Sequence, residues 1–209
     1  MKPELDEELC KKYPKIFRDR HASMMTTAMC WGFECGEGWY SIINHLCSNI
    51  QGHINWKRKE RARDLRFNRA LKRALAGDKS SLIKYHTYKG SISEFVMRRV
   101  EEDISAAEFR DLTPKINQVV AEQVKEKFGG LRFYYRGGDE YISGLVRMAE
   151  SMSYVTCEVC SSPAKQTTGG WIVTMCKPCT DSREERRQKE LDEYNAKHKD
   201  TYEKLEKGN

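Results

Sequence analysis

Four cysteines near the C-terminal end limit what this chain can fold into more than any other feature does. Residues 156–179 read TCEVCSSPAKQTTGGWIVTMCKPC and hold two Cys-x-x-Cys pairs, Cys157/Cys160 and Cys176/Cys179. Each pair turns tightly enough to put two sulfurs at one apex. Two such knuckles facing each other close a tetrahedron, the arrangement of a four-thiolate zinc ribbon. Gly169 and Gly170, followed by the alternating WIVTM, predict a short hairpin that carries the second knuckle over the first. Four protein ligands leave no open coordination position for an activated water. The expected Zn2+ is therefore structural rather than catalytic, and two pairs at ribbon spacing argue against a redox role. Ribbons often carry glycine just after the second cysteine of a knuckle; here Ser161 and Thr180 stand there.

The chain has eight cysteines, and its first residues, MKPELDEELCKKYPKIF, are polar with no apolar leader core. No apolar run approaches the roughly 18 residues that cross a bilayer. These features point to a reducing cytoplasm, where cysteines serve as metal ligands or buried thiols rather than disulfides. Cys30, Cys35, His45 and Cys47 lie close in sequence and define a candidate second metal site. The surrounding Trp and Ile residues favour the simpler reading of buried thiols.

The net charge of +6 is concentrated. Between Lys57 and Arg73, nine Lys and Arg residues face only Glu60 and Asp64, a local excess of seven, while the remainder of the chain sums to about −1. A helix over 56–76 is expected to carry this charge, ending at Gly77. Lys57, Arg58, Arg61, Arg66, Arg69, Lys72 and Arg73 are the candidate nucleic-acid contacts, with Trp56 and Phe67 available for stacking. The alternatives are an amphipathic helix with Leu65, Leu71, Ala74 and Leu75 against a core, and docking on an acidic protein.

Elsewhere, Leu5, Leu9, Tyr13 and Phe17 predict a helix over 4–18, and Trp39, Ile42, Ile43, Leu46 and Ile50 predict another over 38–53. A short helix is expected near 93–110. Thr113 and Pro114 read as the start of a helix with Ile116, Val119, Val120, Val124 and Phe128 on one face and Gly129–Gly130 at its end. LRFYY then alternates as a half-buried strand, paired with the ribbon hairpin or with residues near 28–35. A core helix follows over 139–151. The last stretch, TDSREERRQKELDEYNAKHKDTYEKLEKGN, has mixed charge and predicts a projecting helix or a partly disordered tail.

No phosphate loop, G-x-S-x-G, H-E-x-x-H or deaminase H-x-E is present, and no His-Asn-His nuclease pattern accompanies the cysteines. No small-molecule substrate is evident. Three boxes, GFECGEGWYSIINHLCSNIQ (32–51), QVKEKFGGLRFYY (123–135) and MAESMSYVTCEVC…GGWIVTMCKPC (148–179), resemble a group of small proteins of tailed bacteriophages and prophages. The resemblance covers about a third of the chain. It implies a phage origin, the host cytoplasm as the site of action, and one compact unit made of the three boxes, with residues 55–110 as an insertion.

The expectation is an α+β fold: a mainly helical core at 1–152 with a basic helical insertion at about 55–110, a zinc ribbon at 153–182, and a charged tail at 183–209. The leading functional reading is a non-enzymatic accessory or regulatory protein that binds nucleic acid through the basic helix. The alternatives are an inhibitor or adaptor of a host or phage protein, and an enzyme with an unrecognised site.

Overall fold

The computed structural model describes residues 1–87, 90–167 and 170–206. The expected hairpin apex at Gly169 and the last three tail residues lie outside them. The fold is α+β. In chain order the elements are α1 (Pro3–Lys12), β1 (Phe33–Glu34), α2 (Tyr40–Leu75), α3 (Ser80–His86), α4 (Glu94–Ala106), β2 (Val120–Lys127), β3 (Gly130–Arg136), α5 (Glu140–Ser153), β4 (Lys165–Gln166), β5 (Thr174–Met175) and α6 (Lys177–Glu206).

The two helices expected over 38–53 and 56–76 are one. α2 runs unbroken for 36 residues, about 54 Å at 1.5 Å per residue. Nothing in His53-Ile54-Asn55-Trp56 breaks it: there is no proline, and Ile54 is fully buried. The helix serves two apolar clusters. Its first half sends Ile42, Ile43, Leu46, Ile50 and Ile54 into the main core, with Trp39, Leu131, Phe133 and Ile142. Its second half packs Phe67, Ala70, Leu71 and Ala74 against Leu82 of α3 and Val100 of α4.

The helix expected from Thr113 to Phe128 is not formed. Residues 107–119 have no regular element, and 120–127 are a strand. Of the expected helical face, Ile116, Val119, Val120 and Val124 are buried but Phe128 is exposed. β2 pairs antiparallel with β3, and the register skips Glu122: Ala121 faces Tyr135 and Gln123 faces Tyr134. This β-bulge brings Ala121 and Val124, three apart in sequence, into the same core. Bulged strand and helix share that spacing. The glycines that seemed to end a helix belong to a hairpin. Phe128 (φ 54°) and Gly129 (φ 72°) both lie in the left-handed region, as a two-residue loop matched to strand twist requires.

β3 alternates as expected, with Leu131 and Phe133 buried, but its partner is β2. β1 joins the other edge of β2 in parallel, Phe33 opposite Val124. The outer edge of β3 is closed by side chains of α5: the Leu131 N–H donates to Ser153 Oγ (2.8 Å) and the Phe133 N–H to Glu150 Oε1 (3.0 Å). These bonds leave no ladder for a further strand at those positions. The ribbon hairpin, β4 with β5, touches the β2–β3 turn instead, where Gln166 Nε2 donates to the Phe128 carbonyl (2.9 Å) and Thr174 Oγ1 to that of Gly129.

α1 stops at Lys12, short of the expected residue 18, and Tyr13, Ile16 and Phe17 reach the core from turns. α5 starts on Asp139, whose carboxylate accepts the Ile142 N–H. The charged tail is helical. α6 starts at Lys177, within the second knuckle, so ribbon and tail are continuous. No helix among the described residues is long and apolar enough to cross a membrane.

Candidate metal centre and basic surface

Cys157, Cys160, Cys176 and Cys179 place their sulfurs within 4.8 Å of one another, with Cys160 and Cys176 3.5 Å apart. Sulfurs bound tetrahedrally at ~2.3 Å from one metal ion lie about 3.8 Å apart, so the donor set fits a four-coordinate ion. Hydrogen bonds from the Ser162 hydroxyl and backbone N–H draw the Cys160 thiol down to about 6. Cys179 is pushed up by its hydrogen bonds with Cys176 and Cys160. A Cys179 backbone N–H favours the Cys176 thiolate, but burial and the neighbouring thiols outweigh it and raise that thiol. Four sulfurs this close cannot all ionise without a cation between them. A thiolate-seeking divalent metal would supply that charge.

The first knuckle is bolted to the segment before α2. The Gly38 N–H donates to the Glu158 carbonyl (2.8 Å), Trp39 Nε1 to the Thr156 carbonyl (2.8 Å), and the Gly36 N–H to Glu158 Oε1 (2.8 Å). Glu158 is held above the usual carboxylate range, chiefly by burial. A β-carbon at Gly36 would stand 2.2 Å from the Glu158 carbonyl oxygen, and one at Gly38 2.2 Å from that of Cys157. The spacing C-G-E-G-W therefore lets one backbone lie directly on another. Ser161, where ribbons often carry glycine, has φ 65°. Its hydroxyl donates to the Gly38 carbonyl (2.6 Å), which gives a non-glycine residue a specific use at a strained position.

The other candidate ligands do not gather. Cys35 and Cys47 are buried in the main core, Cys30 is half-buried and His45 is exposed. Burial raises the Cys35 thiol to about 12 and the Cys47 thiol well above its ordinary value. Among the described residues, the four ribbon cysteines are the only group of metal-ligating side chains brought together.

α2 divides the basic residues between two grooves. Arg63, Arg66, Arg69 and Arg73 line one side of a groove of about 770 Å³, closed on the other by Ser81, Lys84 and Tyr85 of α3. Arg66, Arg69 and Arg73 fall at i, i+3 and i+7, one helix face. Arg63 pairs with Glu60 and Arg73 donates to Ser81 Oγ (3.1 Å). Among the described residues no carboxylate pairs with Arg66, Arg69 or Lys84. Lys57, Arg58 and Arg61 line a second groove of about 310 Å³, with Lys115 and Gln118 opposite. Arg61 also has a structural bond, donating to the Thr113 carbonyl (2.8 Å). Lys72 is exposed and lines neither groove.

Arg63, Lys84 and Lys115 were not among the expected contacts. Lys84 and Lys115 lie beyond turns that the charge count along one helix cannot cross. The strap at 107–113 crosses α2 on polar bonds. Asp64 accepts the Thr113 N–H (3.1 Å) and hydroxyl (2.7 Å), and Asn68 exchanges two 2.9 Å bonds with the Arg110 backbone. The Arg110 guanidinium lies 4.0 Å over the Phe67 ring.

No protein-family model, no curated protein and no solved structure matches this chain.

Proposed function

We propose that this protein is a non-enzymatic accessory protein that binds nucleic acid through the basic grooves of α2, with Zn2+ held structurally by Cys157, Cys160, Cys176 and Cys179. The observation that carries this reading is the groove of Arg63, Arg66, Arg69, Arg73 and Lys84. Five cations share one concave surface, and phosphate oxygens are the usual complement to such a surface. The resemblance to small phage proteins agrees with an accessory role in the host cytoplasm. Residues 55–110 form the binding arm in this reading.

Zinc is the metal of choice because four thiolates at ribbon spacing give a closed, soft, tetrahedral site. The ion would be bound by the protein's own thiolates alone, and its contribution is to folding.

The experiment is a titration of labelled DNA and RNA at several salt concentrations, with the wild type and the double variant Arg66→Glu/Arg69→Glu. The wild type is expected to lose affinity log-linearly with salt. The variant should bind at least about tenfold more weakly, with a slope shallower by about two, one per lost phosphate contact. Equal binding by both proteins overturns the reading. So does a wild type that binds neither nucleic acid but captures an acidic protein in nuclease-treated lysate, which would make the grooves a protein-docking surface.

A further inference from the structure

A third cleft opens at the middle of α2, about one turn before the basic grooves. It encloses about 660 Å³, within the range of small-ligand sites. Gly52, His53, Trp56 and Lys57 line it from α2, and Asp139 and Tyr141 from the start of α5. His53 Nε2 lies 2.9 Å from Asp139 Oδ2, and the imidazole stacks on the Tyr141 ring with centroids 4.4 Å apart and planes 26° apart. The Trp56 ring follows, 6.1 Å from His53 and tilted by 32°. Trp56 is 55% exposed and Tyr141 56%.

Three features of the cleft point to a flat, apolar-faced ligand. Two large aromatic rings, Trp56 and Tyr141, are each more than half exposed, although the main core is only a turn away. His53 is held between the Asp139 carboxylate and the Tyr141 ring, which gives the cleft a stacked aromatic wall. Gly52 sits in an exposed helix interior, where glycine costs about 1 kcal/mol relative to alanine, yet a β-carbon there would meet nothing within 4 Å. No packing requirement explains the glycine; its effect is to leave the floor of the cleft open. Asp139 and Lys57 both line the site, and Lys57 also lines the Arg58/Arg61/Lys115 groove, so the cleft and that basic groove adjoin.

We infer that the His53–Trp56–Tyr141 cleft is a base-stacking subsite, and that the nucleic acid bound by α2 is single-stranded. This inference rests on the function proposed above and narrows it. A base inside a duplex has both faces covered by its neighbours, whereas a single strand can turn one base onto an aromatic platform. The strand's base enters against Trp56 and Tyr141, and its phosphates run along Lys57, Arg58 and Arg61 toward Arg66, Arg69 and Arg73. Trp56 and Arg73 are about 25 Å apart along the helix. Because the rings contribute stacking rather than hydrogen-bond readout, the subsite tolerates any base sequence.

The test compares oligothymidylate with an abasic deoxyribose-phosphate oligomer of equal length and with a duplex, using the full chain loaded with zinc. The wild type should prefer oligothymidylate to both the abasic oligomer and the duplex by about tenfold or more, and a duplex bound as tightly as oligothymidylate overturns the single-strand assignment. Trp56→Ala and Tyr141→Ala should each remove most of that preference and leave abasic binding unchanged. Both side chains are exposed, so unchanged melting is expected and serves as the folding control. Equal binding of oligothymidylate and abasic oligomer by the wild type overturns the inference, as does a preference that survives in both alanine variants. If Arg66→Glu/Arg69→Glu still weakens both oligomers in that case, the basic-groove reading stands and only the stacking subsite falls. If it weakens neither, both fall.

Discussion

Two glycines, Gly38 and Gly52, act through what they lack. At Gly38 a β-carbon would stand 2.2 Å from the Cys157 carbonyl oxygen and 2.7 Å from the Glu158 backbone. The contact is with backbone, which cannot rotate away. Gly38→Ala is expected to destabilise the protein by about 1–3 kcal/mol and to speed loss of metal to a chelator, because the displaced group is the first knuckle itself. Gly52→Ala should do the reverse. It meets nothing and should gain up to about 1 kcal/mol. Denaturant midpoints of both variants check the pair. Equal effects of the same sign would remove the distinction between a glycine needed for close approach and one that leaves a cleft open. The two are alike in sequence; in the fold one lies against backbone and the other against open space.

The strap at 107–113 shows how an element without regular structure can be specified. Asp64 and Asn68 sit one turn apart on α2 and hold Thr113 and Arg110 respectively. The Thr113 hydroxyl and backbone N–H hold the Asp64 carboxyl below its ordinary value. An acid depressed in the folded state stabilises it above the unfolded pKa near 3.9, and that stability is lost as pH falls through the lower folded value. Asp64→Ala should therefore be less stable than wild type at neutral pH, and the gap should narrow below about pH 4. Thermal unfolding of both proteins across pH 3–7 checks this, with a constant gap counting against the ionised bond. The sequence placed Asp64 only as one of two acids within a basic run. Its partner is 49 residues away, and no local pattern announces it.

At the scale of the whole molecule, the four-cysteine ribbon sits at one end of the three-stranded sheet, where residues 36–39 and the β2–β3 turn come together. The first knuckle rests on residues 36–39, and the β4–β5 hairpin rests on the β2–β3 turn. The second apolar cluster, at Phe67, Ala70, Leu71, Ala74, Leu82 and Val100, shares none of these contacts. Chelation of the metal, or Cys176→Ser, should remove folding energy that reaches ~10 kcal/mol in small zinc peptides, and it should do so unevenly. Amide exchange is expected to rise over residues 154–180 and at Gly36 and Gly38, while the Ala70–Ala74 amides of α2 stay protected and zinc restores the rest. Uniform acceleration along the chain would show that the clasp supports both clusters equally. Unchanged exchange would remove it as a structural site.

Two kinds of information meet in this protein. The four cysteines, the basic run, the α5 stripe and the LRFYY alternation were readable in one dimension, because ligand spacing, charge and side-chain periodicity are local properties. Tertiary structure decided everything that depended on a distant neighbour. It turned Val120–Lys127 into a bulged strand, because β3 offers a ladder and the bulge gives Ala121 and Val124 a helical interval. It fused two expected helices into α2, because Ile54 is buried at the junction and nothing there breaks the hydrogen bonding. It sorted one basic stretch into two grooves, by packing α3 against one face and residues 114–118 against another. And it brought His53 to Asp139, 86 residues apart. Local chemistry specifies what a segment can do, and the global burial of apolar surface selects which of those options the chain takes.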